Sequence, residues 1–115
     1  MHELSIALSI VEMASEEAEQ RGGVRISAVH LKLGKLSGVV REALLSAYDL
    51  ACEGTPLAGS RLVVDEVPVL AFCPSCETER PLVSMQAFRC CVCNAPTSQI
   101  VRGKEIEVVA LEIEP

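Results

Sequence analysis

The chain has 115 residues, half of them apolar, and a formal charge of −6. That is enough for one real core with a small appended module, and the acidity removes the usual electrostatic footing for binding phosphate backbones. Aromatics are scarce (Tyr48, Phe72 and Phe88, with no Trp), so the core must be built from Leu, Val, Ile and Ala.

The start, Met1-His2-Glu3, lacks a basic stretch ahead of an apolar one, and Leu4 to Val11 is too short to span a bilayer. A cytoplasmic address is therefore expected, where thiols stay reduced and six cysteines favour metal over disulfides.

Residues 2–21 read as a helix. Leu4, Leu8, Val11, Ala14 and Ala18 recur at helical spacing, widened by Ala7, Ile10 and Met13, and Gly22-Gly23 stops it. Val24 to Leu33 reads as a strand. Its apolar phase changes at Ala28–Val29, so it is either covered on both faces or bulged. Gly34 to Gly38 is a connection. Residues 39–53 form a second helix with Val40, Ala43, Leu44, Ala47, Leu50 and Ala51 on its apolar face, ended by Gly54-Thr55-Pro56. Arg61 to Val69 is a strand, and Pro68 marks an edge or an end.

Residues 70–102 hold five of the six cysteines and few large apolar groups, so metal must replace a core there. Lys104 to Ile113 returns to strand character. The expected fold class is α+β. Two helices pack on a small sheet of about three strands, and a four-cysteine zinc-ribbon module is inserted between the last two strands. The domains are 1–69 plus 103–115, and 70–102. The final strand is expected to pair with Arg61–Val69, across the base of the insert.

Cys73-Pro74-Ser75-Cys76 and Cys90-Cys91-Val92-Cys93 are separated by thirteen residues. Each Cys-x-x-Cys turn aims two sulfurs at one point, and two turns give the tetrahedral thiolate set that suits Zn(II). Cys73, Cys76, Cys90 and Cys93 are the expected ligands, with Cys91 the rival to Cys90. Arg80 and Arg89 are near enough in sequence to offset the negative charge of the thiolates. A closed four-sulfur site reads most plainly as a folding staple, and iron is the alternative metal. At the other end, the Met1 amine, backbone amides and the His2 imidazole form a set of nitrogen donors that suits Ni(II) or Cu(II). Read alone, His2 is an ordinary exposed histidine. His30 reads as a half-buried strand residue and Cys52 as a small buried thiol.

Taken together, these parts resemble the HypA/HybF family of hydrogenase-maturation nickel metallochaperones, over essentially the whole length. The resemblance rests on Met-His-Glu-Leu-Ser at the start, Leu-Lys-Leu-Gly-Lys-Leu-Ser at 31–37, Cys-Glu-Gly-Thr-Pro-Leu-Ala-Gly-Ser at 52–60, and the paired cysteine turns at 73–93. It implies a delivery protein, not an enzyme. Ni(II) would bind transiently at Met1, His2 and Glu3, and Zn(II) would be structural and a sensor of nickel geometry. The implied partners are a HypB-type GTPase and the large-subunit precursor of a [NiFe]-hydrogenase, with a urease pathway served in some members. No nucleic acid or membrane is expected. The chain is a monomer, or alternatively a dimer that exchanges its last strand. Glu77 and Asn94 stand where the family usually has Gly, so the first turn is expected to be more open. The module has no His, which excludes a histidine-based ligand swap and leaves Cys91 as the exchange candidate. The competing readings are a zinc-ribbon interaction module and a small iron electron carrier.

Overall fold

The computed structural model describes residues 2–84 and 86–114. The element order is α1 (Glu3–Gln20), β1 (Ile26–Gly34), α2 (Arg41–Cys52), β2 (Arg61–Val67), β3 (Leu70–Cys73), β4 (Thr78–Ser84), β5 (Ala87–Cys90), β6 (Ile100–Arg102) and β7 (Ile106–Ile113). One sheet has the order β2-β1-β7, the other β5-β4-β3-β6. The chain divides into two units. The first comprises Met1–Lys32, Gly38–Asp65 and Glu107–Pro115; the second comprises Leu33–Ser37 and Glu66–Ile106.

In the first unit, α1 buries Ala7, Ile10, Val11, Ala14 and Ala18. Leu4 and Leu8, expected on the apolar face, are exposed. The buried stripe is turned toward the alanines, whose small side chains admit close packing against α2. The C-terminus is closed by two bonds: the Gly23 N–H donates to Ala18 O (2.9 Å) and the Gly22 N–H to Glu19 O (3.1 Å). This is the Schellman arrangement, and Gly22 has the positive φ it needs (86°). Helix α2 buries Leu44, Ala47, Tyr48 and Cys52, while Val40 and Leu50 face solvent rather than the core.

The 52–60 segment that follows α2 is a built corner. Thr55 Oγ1 donates to Cys52 O (2.6 Å) and accepts from the Leu57 N–H (3.1 Å), and Leu57 is fully buried. The Tyr48 hydroxyl lies 2.7 Å from Ser60 Oγ, which satisfies two buried polar groups. Burial pushes both the Tyr48 hydroxyl and the Cys52 thiol up, so this thiol is inert.

Strand β1 keeps Ile26, Ala28, Val29, Leu31 and Leu33 buried, on both sides of the phase change. It is the central strand, and this corrects the expected pairing. The final strand does not lie against β2 but on the other side of β1. The strand buried in both phases takes the middle, and the two half-polar strands take the edges.

In the second unit, β3 and β4 form an antiparallel hairpin with Cys73 opposite Thr78. β5 pairs with β4, and β6 returns to pair with β3. Gly34, at the end of β1, shows why its motif needs glycine. The Gly34 N–H donates to Glu105 O (2.7 Å) and the Leu36 N–H to Gly103 O (2.6 Å). A Cβ at Gly34 would run into the Gly103 carbonyl.

Candidate metal centre

Cys73 ends β3 and Cys90 ends β5; Cys76 and Cys93 lie in the turns that follow. One sulfur of each pair is therefore fixed by a strand and the other by a tight turn. The turns form because backbone N–H groups point at the strand-held sulfurs. The Cys76 N–H lies 3.4 Å from Cys73 Sγ, and the Val92 and Cys93 N–H groups each lie 3.4 Å from Cys90 Sγ. The Cys93 and Val92 N–H groups lower the Cys90 thiol, while the neighbouring Cys73 sulfur pushes the Cys93 thiol up.

Each turn closes with a left-handed residue, Glu77 (φ 55°) in the first and Asn94 (φ 62°) in the second. This corrects the expectation that Glu77 leaves the first turn more open. The chain adopts the glycine-like conformation there and accepts the strain. The second turn is secured further by bonds from the Asn94 N–H to Cys90 O and from the Cys90 N–H to Ala95 O, both 2.9 Å.

The four ligand sulfurs lie within 4.8 Å of one another. Cys73 and Cys93 Sγ are 3.4 Å apart, Cys76 and Cys90 Sγ 3.9 Å. A tetrahedron with Zn–S bonds of about 2.3 Å has edges of roughly 3.8 Å, so the donor set fits such an ion. Cys73 and Cys90 are buried, Cys76 is half-buried and Cys93 is exposed, so the cluster is reached from one side. Cys91 is exposed and outside the four; its N–H donates to Pro81 O (3.1 Å). The Cys76 sulfur near Arg80 raises the guanidinium pKa, which puts the expected positive charge beside the thiols. Arg89 does not reach a sulfur. It donates to Asn94 O (3.2 Å) and braces the second turn instead.

The candidate nickel residues sit at the head of α1. Met1 lies outside the described residues. His2 is exposed, takes the N-cap position of α1 and makes no side-chain capping bond. Its carbonyl accepts from the Ile6 N–H (3.2 Å), which ties the backbone at this point to the helix. Glu3 has a role that sequence reasoning missed. Its Oε2 accepts from the Val40 N–H (3.0 Å), the N-cap amide of α2, and this bond is the main cause that lowers its carboxyl pKa. A helix that opens on valine has no side-chain cap of its own, and the absence of Ser, Thr, Asp or Asn at that position was the one signal available. Beyond these, His30 Nε2 lies 2.6 Å and Arg61 Nη2 3.4 Å from Glu112 Oε2, which lowers the Glu112 pKa.

Two helices, a three-stranded sheet and a ribbon module with four converging thiols define a small α+β metal-binding protein. The whole-chain comparison makes the class specific. Residues 1–113 match the HypA family model, described as hydrogenase/urease nickel incorporation, metallochaperone. The hydrogenase maturation factor HypA of Chloroflexus aurantiacus is 54% identical over 112 residues, covering 97% of this chain and 98% of that one. Its counterpart in Deinococcus radiodurans is 40% identical over 108 residues, covering 94% and 89%. The solution structure of the Ni metallochaperone HypA from Helicobacter pylori shares the fold, with a TM-score of 0.67 at 22% identity, covering 98% and 97%. The chain belongs to the HypA family. It is thus a metallochaperone for hydrogenase maturation, a maturation factor and not an enzyme. Among the described residues no helix is long and apolar enough to cross a membrane.

Proposed function

We propose that this chain takes up Ni(II) at its amino terminus and hands it, with a HypB-type GTPase, to the large-subunit precursor of a [NiFe]-hydrogenase in the cytoplasm. The Met1 amine, the His2 imidazole and backbone nitrogen at His2 and Glu3 form the donor set. Cys73, Cys76, Cys90 and Cys93 hold Zn(II) as the structural ion. The observation that carries the reading is the division of donors. The four thiols are committed to one another, within 4.8 Å and braced by N–H groups, whereas the His2 ring is exposed and makes no capping bond. Soft sulfur suits the resident ion and nitrogen suits the cargo.

The position of His2 supports transfer. The first N–H groups of a helix have no partner in the helix ladder, so nickel can claim them without breaking a turn. Glu3 then acts as a positioning residue, because its carboxylate ties the head of α1 to α2. The test is calorimetric titration of Ni(II) into zinc-loaded protein with its native start, beside His2→Ala. The variant is expected to lose tight nickel binding while keeping its zinc content. Equal affinity in the two proteins would overturn the assignment.

A further inference from the structure

In the ribbon hairpin, Arg80 lies opposite Ala71. Two residues back along β4, Thr78 lies opposite Cys73; two residues on, Leu82 lies opposite Cys90. Alternate residues of a strand share a face, and directly opposed residues of paired strands share it too. Arg80 therefore stands on the sulfur face, in the row between the two strand-held thiols. Ala71, Cys73 and Cys90 on this face are all buried. Glu79 and Pro81, on the other face of β4, are exposed, whereas Arg80 is half-buried. The Arg80 Nε is buried and has no oxygen acceptor among the described residues. Every other arginine reaches an oxygen: Arg21, Arg41, Arg61 and Arg102 a carboxylate, Arg25 and Arg89 a carbonyl. What Arg80 has beside it is the Cys76 sulfur. A buried cationic N–H is matched there when the sulfurs carry negative charge, as they do around a metal ion.

We propose that Arg80 is a specificity-determining residue of the metal centre, whose fixed positive charge favours a divalent ion over a trivalent one. Four thiolates give a divalent ion a net charge of −2 and a trivalent ion −1. A guanidinium held against the sulfurs stabilises the more negative centre more, and burial strengthens the effect because water and salt screen it less. Glu79, the next carboxylate along the strand, does not cancel this charge, because it lies on the other face and pairs with Arg102. The inference rests on the reading that the four thiols hold a metal, and adds which ion they prefer and which residue sets the preference.

The test uses the full chain loaded with zinc or with iron, beside Arg80→Met, which removes the charge, and Arg80→Lys, which keeps it. Arg80→Met is expected to weaken zinc binding by about tenfold in competition against a chelator, the low end for a residue that supports metal ligands. In the iron-loaded protein its Fe(III)/Fe(II) potential is expected to fall, by roughly 59 mV for each tenfold loss of preference for the divalent ion. Arg80→Lys is expected to recover most of both. Arg102→Met, which removes an exposed charge from the same module, is expected to keep the wild-type potential. Arg80→Met with an unchanged potential would overturn the proposal, since a merely structural role weakens binding without moving the potential. So would an Arg80→Lys that behaves as Arg80→Met, or an equal fall in Arg102→Met, which would assign the effect to net charge. A wild type that takes up neither metal at the four thiols would overturn the metal reading itself, and the proposal with it.

Discussion

Replacing Glu77 by glycine is expected to tighten zinc binding. Glu77 closes the first cysteine turn at φ 55°, a conformation that a residue with a Cβ adopts at a cost of about 1–2 kcal/mol. Glycine removes that cost. It also gives the unfolded chain more freedom, which offsets about 0.5–1 kcal/mol of the gain. The net is roughly 0.5–1 kcal/mol in favour of the closed turn. Because the turn is formed when metal binds, zinc affinity should rise by about two- to fivefold. Asn94 provides the internal control. It holds φ 62° in the second turn, but asparagine visits this region readily, so Asn94→Gly should gain nothing. Glu77→Gln separates charge from backbone, since it keeps the strain and removes the carboxylate. The assay is competition for zinc against a chromophoric chelator, run on all four proteins. An unchanged or weaker affinity for Glu77→Gly would refute the reasoning, as would a gain in Glu77→Gln that matches it.

Gly34→Ala should destabilise the protein by at least the roughly 1–3 kcal/mol stored in a strained backbone, because its Cβ meets the Gly103 carbonyl; thermal denaturation measures it. Tyr48→Phe leaves the buried Ser60 hydroxyl with only the Cys52 sulfur at 3.8 Å, and should cost about 1–3 kcal/mol in urea unfolding. The double variant Tyr48→Phe/Ser60→Ala should cost less than the sum of the two single changes. His30, with Arg61 beside it, lowers the Glu112 pKa below its ordinary 4.5. Its contribution is therefore full above that value and lost as the pH falls through the lowered one. The melting temperatures of wild type and Glu112→Gln should differ at neutral pH and converge in acid.

Much of this architecture was legible because periodicity and cysteine spacing are local signals. The two helices, the central strand and the four-thiol ribbon each announce themselves within a short window. The errors were of another kind. Leu4, Leu8 and Leu50 are strongly apolar and sit at helical spacing, yet they face solvent. Close helix packing selected the alanine stripe, and residue hydrophobicity does not encode that choice. The placement of β7 on the far side of β1 is a choice between two sheet edges that chain order does not decide. The bond from Val40 to Glu3 joins residues 37 apart and leaves no mark except an uncapped helix start. At the metal centre, the spacing pointed to the four sulfurs that the fold brings together. The left-handed Glu77 is a case where the demand of the turn overrode residue preference.

The central claim is that nickel is held by the free start of the chain. The most direct measurement compares nickel binding by the native sequence with that of the same protein carrying one extra glycine before Met1. The extension leaves every side chain in place and moves only the terminal amine. The native protein is expected to bind one Ni(II), more weakly as acid protonates its amine, while the extended protein loses tight binding and keeps its zinc. Equal nickel affinity in both would contradict the account and place the ion elsewhere.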